Sequence, residues 1–117
     1  MKQHTTPEQT VKLIELGFEK PKSISGFYTK PPYEYDAKTN SKIAVYDDTQ
    51  YPIYAYSIGE LISFLPDDGV FNKRLEFDCF HWIVDWDSFD EIHQTMQVEL
   101  VDALYEMAVK LKERKVI

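Results

Sequence analysis

From Gln97 to about Lys115 the chain carries its most restrictive pattern. Val98, Val101, Leu104, Ala108 and Leu111 recur at spacings of three and four, and Leu100, Ala103 and Met107 widen the same side. At 3.6 residues per turn these positions form one broad apolar stripe, suited to lying on a sheet. The charges are ordered as well. Glu99, Asp102 and Glu106 occupy the first half, and Lys110, Lys112, Arg114 and Lys115 the end. That polarity complements the helix dipole, and Glu106 with Lys110 is a favourable i,i+4 pair.

Two shorter helices are announced by their ends. Thr6-Pro7-Glu8-Gln9 is a capping box with proline at the first helical position, where its missing N–H costs nothing. Val11, Leu13, Ile14 and Leu16 supply an apolar stripe, Gly17 suits a left-handed C′ position, Phe18 can fold back on Leu13, and Pro21 prevents resumption. Ser57-Ile58-Gly59-Glu60 is a second capping box, with Tyr56 placed to staple onto Leu61. Leu61, Ile62, Phe64 and Leu65 form its expected buried face, and Pro66-Asp67-Asp68-Gly69 ends it. Gly59 in the first turn either admits a close neighbour or has no packing role.

Elsewhere the pattern is β-like. Ile24 to Thr29, Ile43 to Tyr46 and Tyr51 to Tyr56 are β-branched and aromatic runs. Lys30-Pro31-Pro32 and Asp36 to Ser41 read as loops, and Asp47 to Gln50 as a hairpin connection. Pro52 places its strand at a sheet edge or delays the strand's start. Between Arg74 and Asp87, Leu75, Phe77 and Cys79 alternate with charged residues, but past Phe80-His81 the phase flips to Trp82, Val84 and Trp86. A period of two that changes phase needs a break or a bulge, so this is two short strands or one bulged strand. Residues 88–96 fit a backward extension of the last helix from the Ser88-Phe89-Asp90-Glu91 capping pattern, a loop, or a strand over Ile92 to Met96. The expected fold is α+β: one domain over residues 1–117, with a small, mainly antiparallel sheet of about four or five strands packed against the long C-terminal helix and two shorter helices.

Composition narrows the function classes. The chain is 44% hydrophobic and 28% charged, which is globular. A net charge of −7 disfavours direct binding to nucleic acid or to anionic membranes, because both need basic surfaces to neutralise phosphates. No apolar run approaches a membrane span, and MKQHTTPEQT has no apolar core of the signal-peptide kind, so a cytoplasmic location is expected. The lone Cys79 has no internal disulfide partner and reads as a small buried hydrophobe.

Two groups of residues could carry chemistry. Asp85, Asp87, Asp90 and Glu91, with Glu76 and Asp78 a strand away, are candidate ligands for a hard cation, and His81 or His93 could join them in a mixed metal or acid–base site. The glycine and terminal glutamate of a dedicated calcium loop are missing, and the histidine spacing matches no helical ligand pair. A solvated acidic turn explains the same residues. No nucleophile elbow, phosphate-cradling glycine loop, dinucleotide fingerprint or paired C-x-x-C occurs, so no cofactor and no catalytic residue is assigned. The second group is aromatic. Seven of the eight tyrosines lie between Tyr28 and Tyr56: Tyr28, Tyr33, Tyr35, Tyr46, Tyr51, Tyr54 and Tyr56. Tyrosine offers large contact area at low entropic cost, so the cluster is a candidate protein-binding face; partly buried strand residues are the plain alternative.

Three stretches, Leu13-Ile14-Glu15-Leu16-Gly17-Phe18-Glu19-Lys20-Pro21, Tyr56-Ser57-Ile58-Gly59-Glu60-Leu61-Ile62-Ser63-Phe64-Leu65-Pro66 and Leu100-Val101-Asp102-Ala103-Leu104-Tyr105-Glu106-Met107, resemble the small acidic orphan proteins of gut Bacteroides-type bacteria, their prophages and phages. The resemblance implies a phage or mobile-element accessory protein in the bacterial cytoplasm, with helices packed on a small sheet, and it brings no catalytic residues. The leading expectation is a non-catalytic interaction module that binds another protein, or a second copy as a homodimer, through tyrosines and sheet edge. A metal-dependent hydrolase or nuclease accessory built on Asp85 to Glu91, and an acidic DNA-mimic decoy, are the alternatives.

Overall fold

The helices form where their caps predict. In the computed structural model, which describes residues 1–29, 33–44, 48–67, 69 and 71–117 without the side chains of Tyr33 and Glu34, the elements run α1 (Pro7–Glu15), β1 (Ile24–Tyr28), β2 (Tyr33–Asp36), β3 (Ser41–Ala44), β4 (Tyr51–Tyr54), α2 (Ile58–Phe64), β5 (Asn72–Phe77), β6 (Trp82–Asp87), β7 (Gln94–Gln97) and α3 (Leu100–Glu113). Thr6 and Ser57 each close the reciprocal capping box with Gln9 and Glu60. At the other end of α1 the Phe18 N–H reaches the Leu13 carbonyl and the Gly17 N–H that of Ile14, with Gly17 at φ +98°. These are the paired bonds of the left-handed helix stop.

The chain divides into two compact units, one of Met1–Ser23 with Ala55–Ile117 and one of Ile24–Tyr54. The first holds the core. Leu13, Tyr56, Leu61, Leu65, Val84, Trp86 and the inner face of α3 (Leu100, Val101, Ala103, Leu104, Met107, Ala108 and Leu111) form one buried cluster. Helix α3 packs on β6, β7 and α2. Lys2 and Gln9 both bond the Asp102 carboxylate, at 2.6 and 2.9 Å, which ties the N-terminal segment and α1 to the first turn of α3. Burial alone would raise that carboxyl's pKa; the bonds from Lys2 and Gln9 and the Lys2 charge outweigh it and hold the group below its ordinary value.

Several expectations are corrected. Instead of one sheet of four or five strands, the described residues form three antiparallel sheets: β5-β6-β7, β1-β4 and β2-β3. The phase flip is a hairpin, with Phe77 opposite Trp82 and the turn held by Asp78, whose Oδ1 accepts from the Phe80 and His81 N–H groups. Cys79 sits in that turn at φ +79° and is exposed, because a turn residue has no core face to enter. Helix α3 begins at Leu100, so Val98 is exposed. The Ser88 pattern caps a turn: its Oγ accepts from the Glu91 N–H, but the chain goes on into β7. On α1 only Thr10 and Leu13 are buried, whereas Val11 and Ile14 face outward. Asp36 and Ser41, the two ends of an expected loop, belong to β2 and β3, and the strand expected to reach Tyr56 ends at Tyr54. The expected hairpin between β3 and β4 is not formed, since β3 pairs with β2 and β4 with β1; Asp47 of its expected connection lies outside the described residues. Asp68 and the strand's expected end at Tyr46 lie outside the described residues.

Candidate functional site

In the unit Ile24–Tyr54, β1 and β4 pair antiparallel with Phe27 opposite Pro52, Tyr28 opposite Tyr51 and Ile24 opposite Tyr54. Opposed residues share a face and neighbours along a strand alternate. Tyr28, Tyr51 and Ile53 therefore line one face and Phe27, Pro52 and Tyr54 the other, and a shift of register between Ile24 and Gly26 brings Ile24 to the side of its partner Tyr54. Tyr28 and Tyr51 stack with ring centroids 5.4 Å apart. Phe27 is 59% exposed, Tyr28 51%, Tyr54 52% and, on β2, Tyr35 63%. Lys42 lies opposite Tyr35 in the register, with Nζ 5.9 Å from the ring centroid, a cation–π distance. No described residue between Ile24 and Tyr54 is buried. The proline-restricted edge expected at Pro52 is present, since both strands of a two-stranded sheet are edges.

The expected tyrosine cluster is thus partly gathered. Tyr28, Tyr51 and Tyr54 share one ribbon, Tyr35 lies on the other ribbon, and Tyr33 is in β2 with its side chain outside the description. Tyr46 lies outside the described residues. Tyr56 belongs to the core, where its hydroxyl donates to the Glu19 carbonyl. Burial, then the charges of Glu60 and Glu19, push its phenol pKa up, which keeps the donor protonated. Sequence reasoning missed Phe27, Ile24, Ile43 and Ile53, all exposed on the same unit. The signal was present in the adjacent apolar pairs Phe27-Tyr28 and Ile53-Tyr54, since a strand with one buried face does not place large apolar groups at consecutive positions.

Apart from Asp90, the candidate acidic residues have partners within the fold. Asp85 lies on the central strand between Arg74 and Gln94, its register partners on either side. Its Oδ2 accepts from Arg74 Nε at 2.7 Å and its Oδ1 from Gln94 Nε2 at 2.8 Å. Asp87 Oδ1 accepts from the His93 N–H at 2.8 Å, Asp90 is exposed in the turn, and Glu91 Oε2 stands 3.1 Å from His93 Nε2 and 3.8 Å from Arg114 Nη1. The His93 imidazole is fully buried. Its Nε2 is within ion-pair distance of Glu91 without hydrogen-bond alignment, and its Nδ1 has no hydrogen-bond partner among the described residues. His81 sits at the other end of β6, in the turn with Asp78, and Glu76 pairs with Arg74 at 2.9 Å. Among the described residues no three of His, Cys, Asp and Glu converge in a way that could hold a metal ion. No helix is long and apolar enough to cross a membrane, again among the described residues. Compared with protein-family models, curated proteins and solved structures, the chain finds no match.

Proposed function

We propose that this chain is a non-catalytic protein-interaction module, a phage- or prophage-type accessory protein of the bacterial cytoplasm, and that the unit Ile24–Tyr54 is its binding element. One observation carries the reading: two short ribbons display large aromatic and aliphatic side chains on both faces and have no buried residue among those described. A two-stranded ribbon is marginal in water by itself, and exposed apolar surface of this kind marks interaction sites. The tyrosines suit the role because each adds a large amphipathic ring at the cost of ordering only two side-chain torsions.

The test compares the wild-type chain with Tyr28→Ser/Tyr54→Ser, which removes one ring from each face of the β1–β4 ribbon. Proteins retained from lysate of a cell that makes the chain are identified by mass spectrometry, and thermal unfolding followed by tryptophan fluorescence checks the core. The expected result is a partner held by the wild type at micromolar concentration and lost by the variant, with unfolding unchanged. Retention of the same proteins by both, or of none, would defeat the reading.

A further inference from the structure

We infer that β5 is a self-complementary edge through which two copies of the chain pair antiparallel about a two-fold axis at Leu75, joining their three-stranded sheets into one. The inference stands apart from the tyrosine-bearing unit. Strand β5 is outermost in the order β5-β6-β7, and all six of its residues are exposed. An edge of this kind presents a row of N–H and C=O groups ready to template another strand.

The backbone phase at that edge follows from two hydrogen bonds. The Asp78 N–H donates to the His81 carbonyl, so Asp78, Glu76, Arg74 and Asn72 turn their peptide groups inward to β6. The Trp86 N–H donates to the His93 carbonyl, which puts the even-numbered residues of β6 toward β7 and its odd-numbered ones toward β5, in agreement. Lys73, Leu75 and Phe77 therefore aim their backbone donors and acceptors at the open edge. In a two-fold pair centred on Leu75, these same residues meet as Leu75 with Leu75 and Lys73 with Phe77, each pair exchanging both bonds.

Charge selects this register. Residues that oppose each other must lie on the same face, so only pairings of equal parity are open. Centred on Leu75, Arg74 of each copy faces Glu76 of the other. Centred on Arg74 or on Glu76, like charges would meet at the axis, which is unfavourable. Arg74 already bonds Glu76 of its own chain and Asp85; its forked guanidinium has enough donors to keep Asp85 while meeting the second copy's carboxylate. The apolar face agrees. Leu75 is opposite Val84 on the side that α3 covers over β6 and β7, yet Leu75 itself is exposed. Phe77, also exposed, lies with its ring 5.2 Å from that of Trp82. Pairing at β5 brings these groups of the two copies side by side. Lysine often guards a sheet edge, but Lys73 is drawn to Asp67 and lies 5.9 Å from the centroid of the Trp86 ring. At the opposite edge the Gln94 carbonyl meets Lys110 Nζ at 3.5 Å, and β7 has no charges to pair with itself.

Sedimentation velocity over a concentration series tests the inference. The wild type should move from the 13.8 kDa chain toward twice that mass as concentration rises. Glu76→Arg, which sets arginine against arginine across the axis, should raise the dissociation constant at least about tenfold, a loss of about 1.4 kcal/mol. Glu15→Arg, the same charge change on an exposed residue of α1, should leave it unchanged. If circular dichroism shows that Glu76→Arg does not fold, Leu75→Cys in a Cys79→Ser background decides instead, and mild oxidation should link two chains at the axis. A wild type that stays monomeric up to high-micromolar concentration would overturn the proposal. So would association that Glu76→Arg and Glu15→Arg leave equally intact, or a Leu75→Cys chain that does not cross-link.

Discussion

Replacing Asp85 by alanine distinguishes a carboxylate held by its neighbours from one waiting for a cation, because the two cases predict opposite signs. Only 9% of the Asp85 side chain is exposed, and each oxygen accepts a bond from a flanking strand, at 2.7 Å from Arg74 and 2.8 Å from Gln94. Hydrogen bonds to charged groups contribute about 1.5–3 kcal/mol, and breaking a fully buried ion pair costs about 3–5 kcal/mol. Arg74 is 52% exposed and can return to water, which pulls the value toward the 0–1 kcal/mol typical of surface pairs. Asp85→Ala should therefore destabilise the protein by about 1–2 kcal/mol and lower Tm by roughly 5–10 °C for a unit of this size. The assay is thermal unfolding followed by fluorescence of Trp86, which is buried with its indole N–H bonded to the Pro66 carbonyl at 2.8 Å. In a cluster of uncompensated carboxylates the same change would relieve repulsion and raise Tm. Mg²⁺, Mn²⁺, Ca²⁺ and Zn²⁺ should leave the wild-type Tm unchanged, since a cation binding only the native state must raise it with concentration. A Tm unchanged or raised in Asp85→Ala would refute the reasoning. A cation-dependent rise that disappears in Asp85→Asn/Asp87→Asn would do so as well.

Two glycines should respond in opposite directions. Gly17→Ala should cost about 1 kcal/mol, because φ +98° is forced on a residue with a Cβ, whereas Gly59→Ala should stabilise by a few tenths to about 1 kcal/mol, since the added methyl meets only Ser57 Oγ at 3.9 Å; urea unfolding measures both. Acid should unfold the protein through Glu60 and Asp102. Burial by itself raises the Glu60 pKa, but bonds from Ser23, the Lys22 N–H and Ser57 outweigh it, so Glu60, like Asp102, titrates below its ordinary value in the folded state. A depressed carboxyl contributes stability above its unfolded pKa and loses it as pH falls through the folded one. Tm should therefore hold steady down to about pH 4.5, the ordinary value for Glu60, and decline below it, with a shallower decline in Glu60→Gln.

Local chemistry was legible in the residues and long-range pairing was not. The capping boxes at Thr6 and Ser57, the left-handed stop at Gly17 and the inner face of α3 from Leu100 onward formed as read, because each depends on groups within a turn or two of one another. The change of phase past Phe80-His81 announced a break, but the pattern could not say that Cys79 would stand exposed in a turn at φ +79°. Ser88 bonded Glu91 as a cap would, yet no helix followed, because a cap satisfies orphan N–H groups and does not supply the packing that makes a helix persist.

The candidate sites divide along the same line. Sequence alone identified the tyrosine-rich stretch and the acidic one, since composition is local. Tertiary pairing decided what each became. Tyr56, two residues from the exposed Tyr54, enters the core beside α2, which packs on α3, while the register of β1 with β4 leaves apolar side chains on both faces of a ribbon. In the sequence Asp85 fitted a cation site or a solvated acidic turn alike; the order β5-β6-β7 sets Arg74 and Gln94 on its two sides. Charge, caps and helical stripes follow from the order of residues along the chain. Which strand lies beside which depends on contacts distant in sequence, and only the folded chain brings those together.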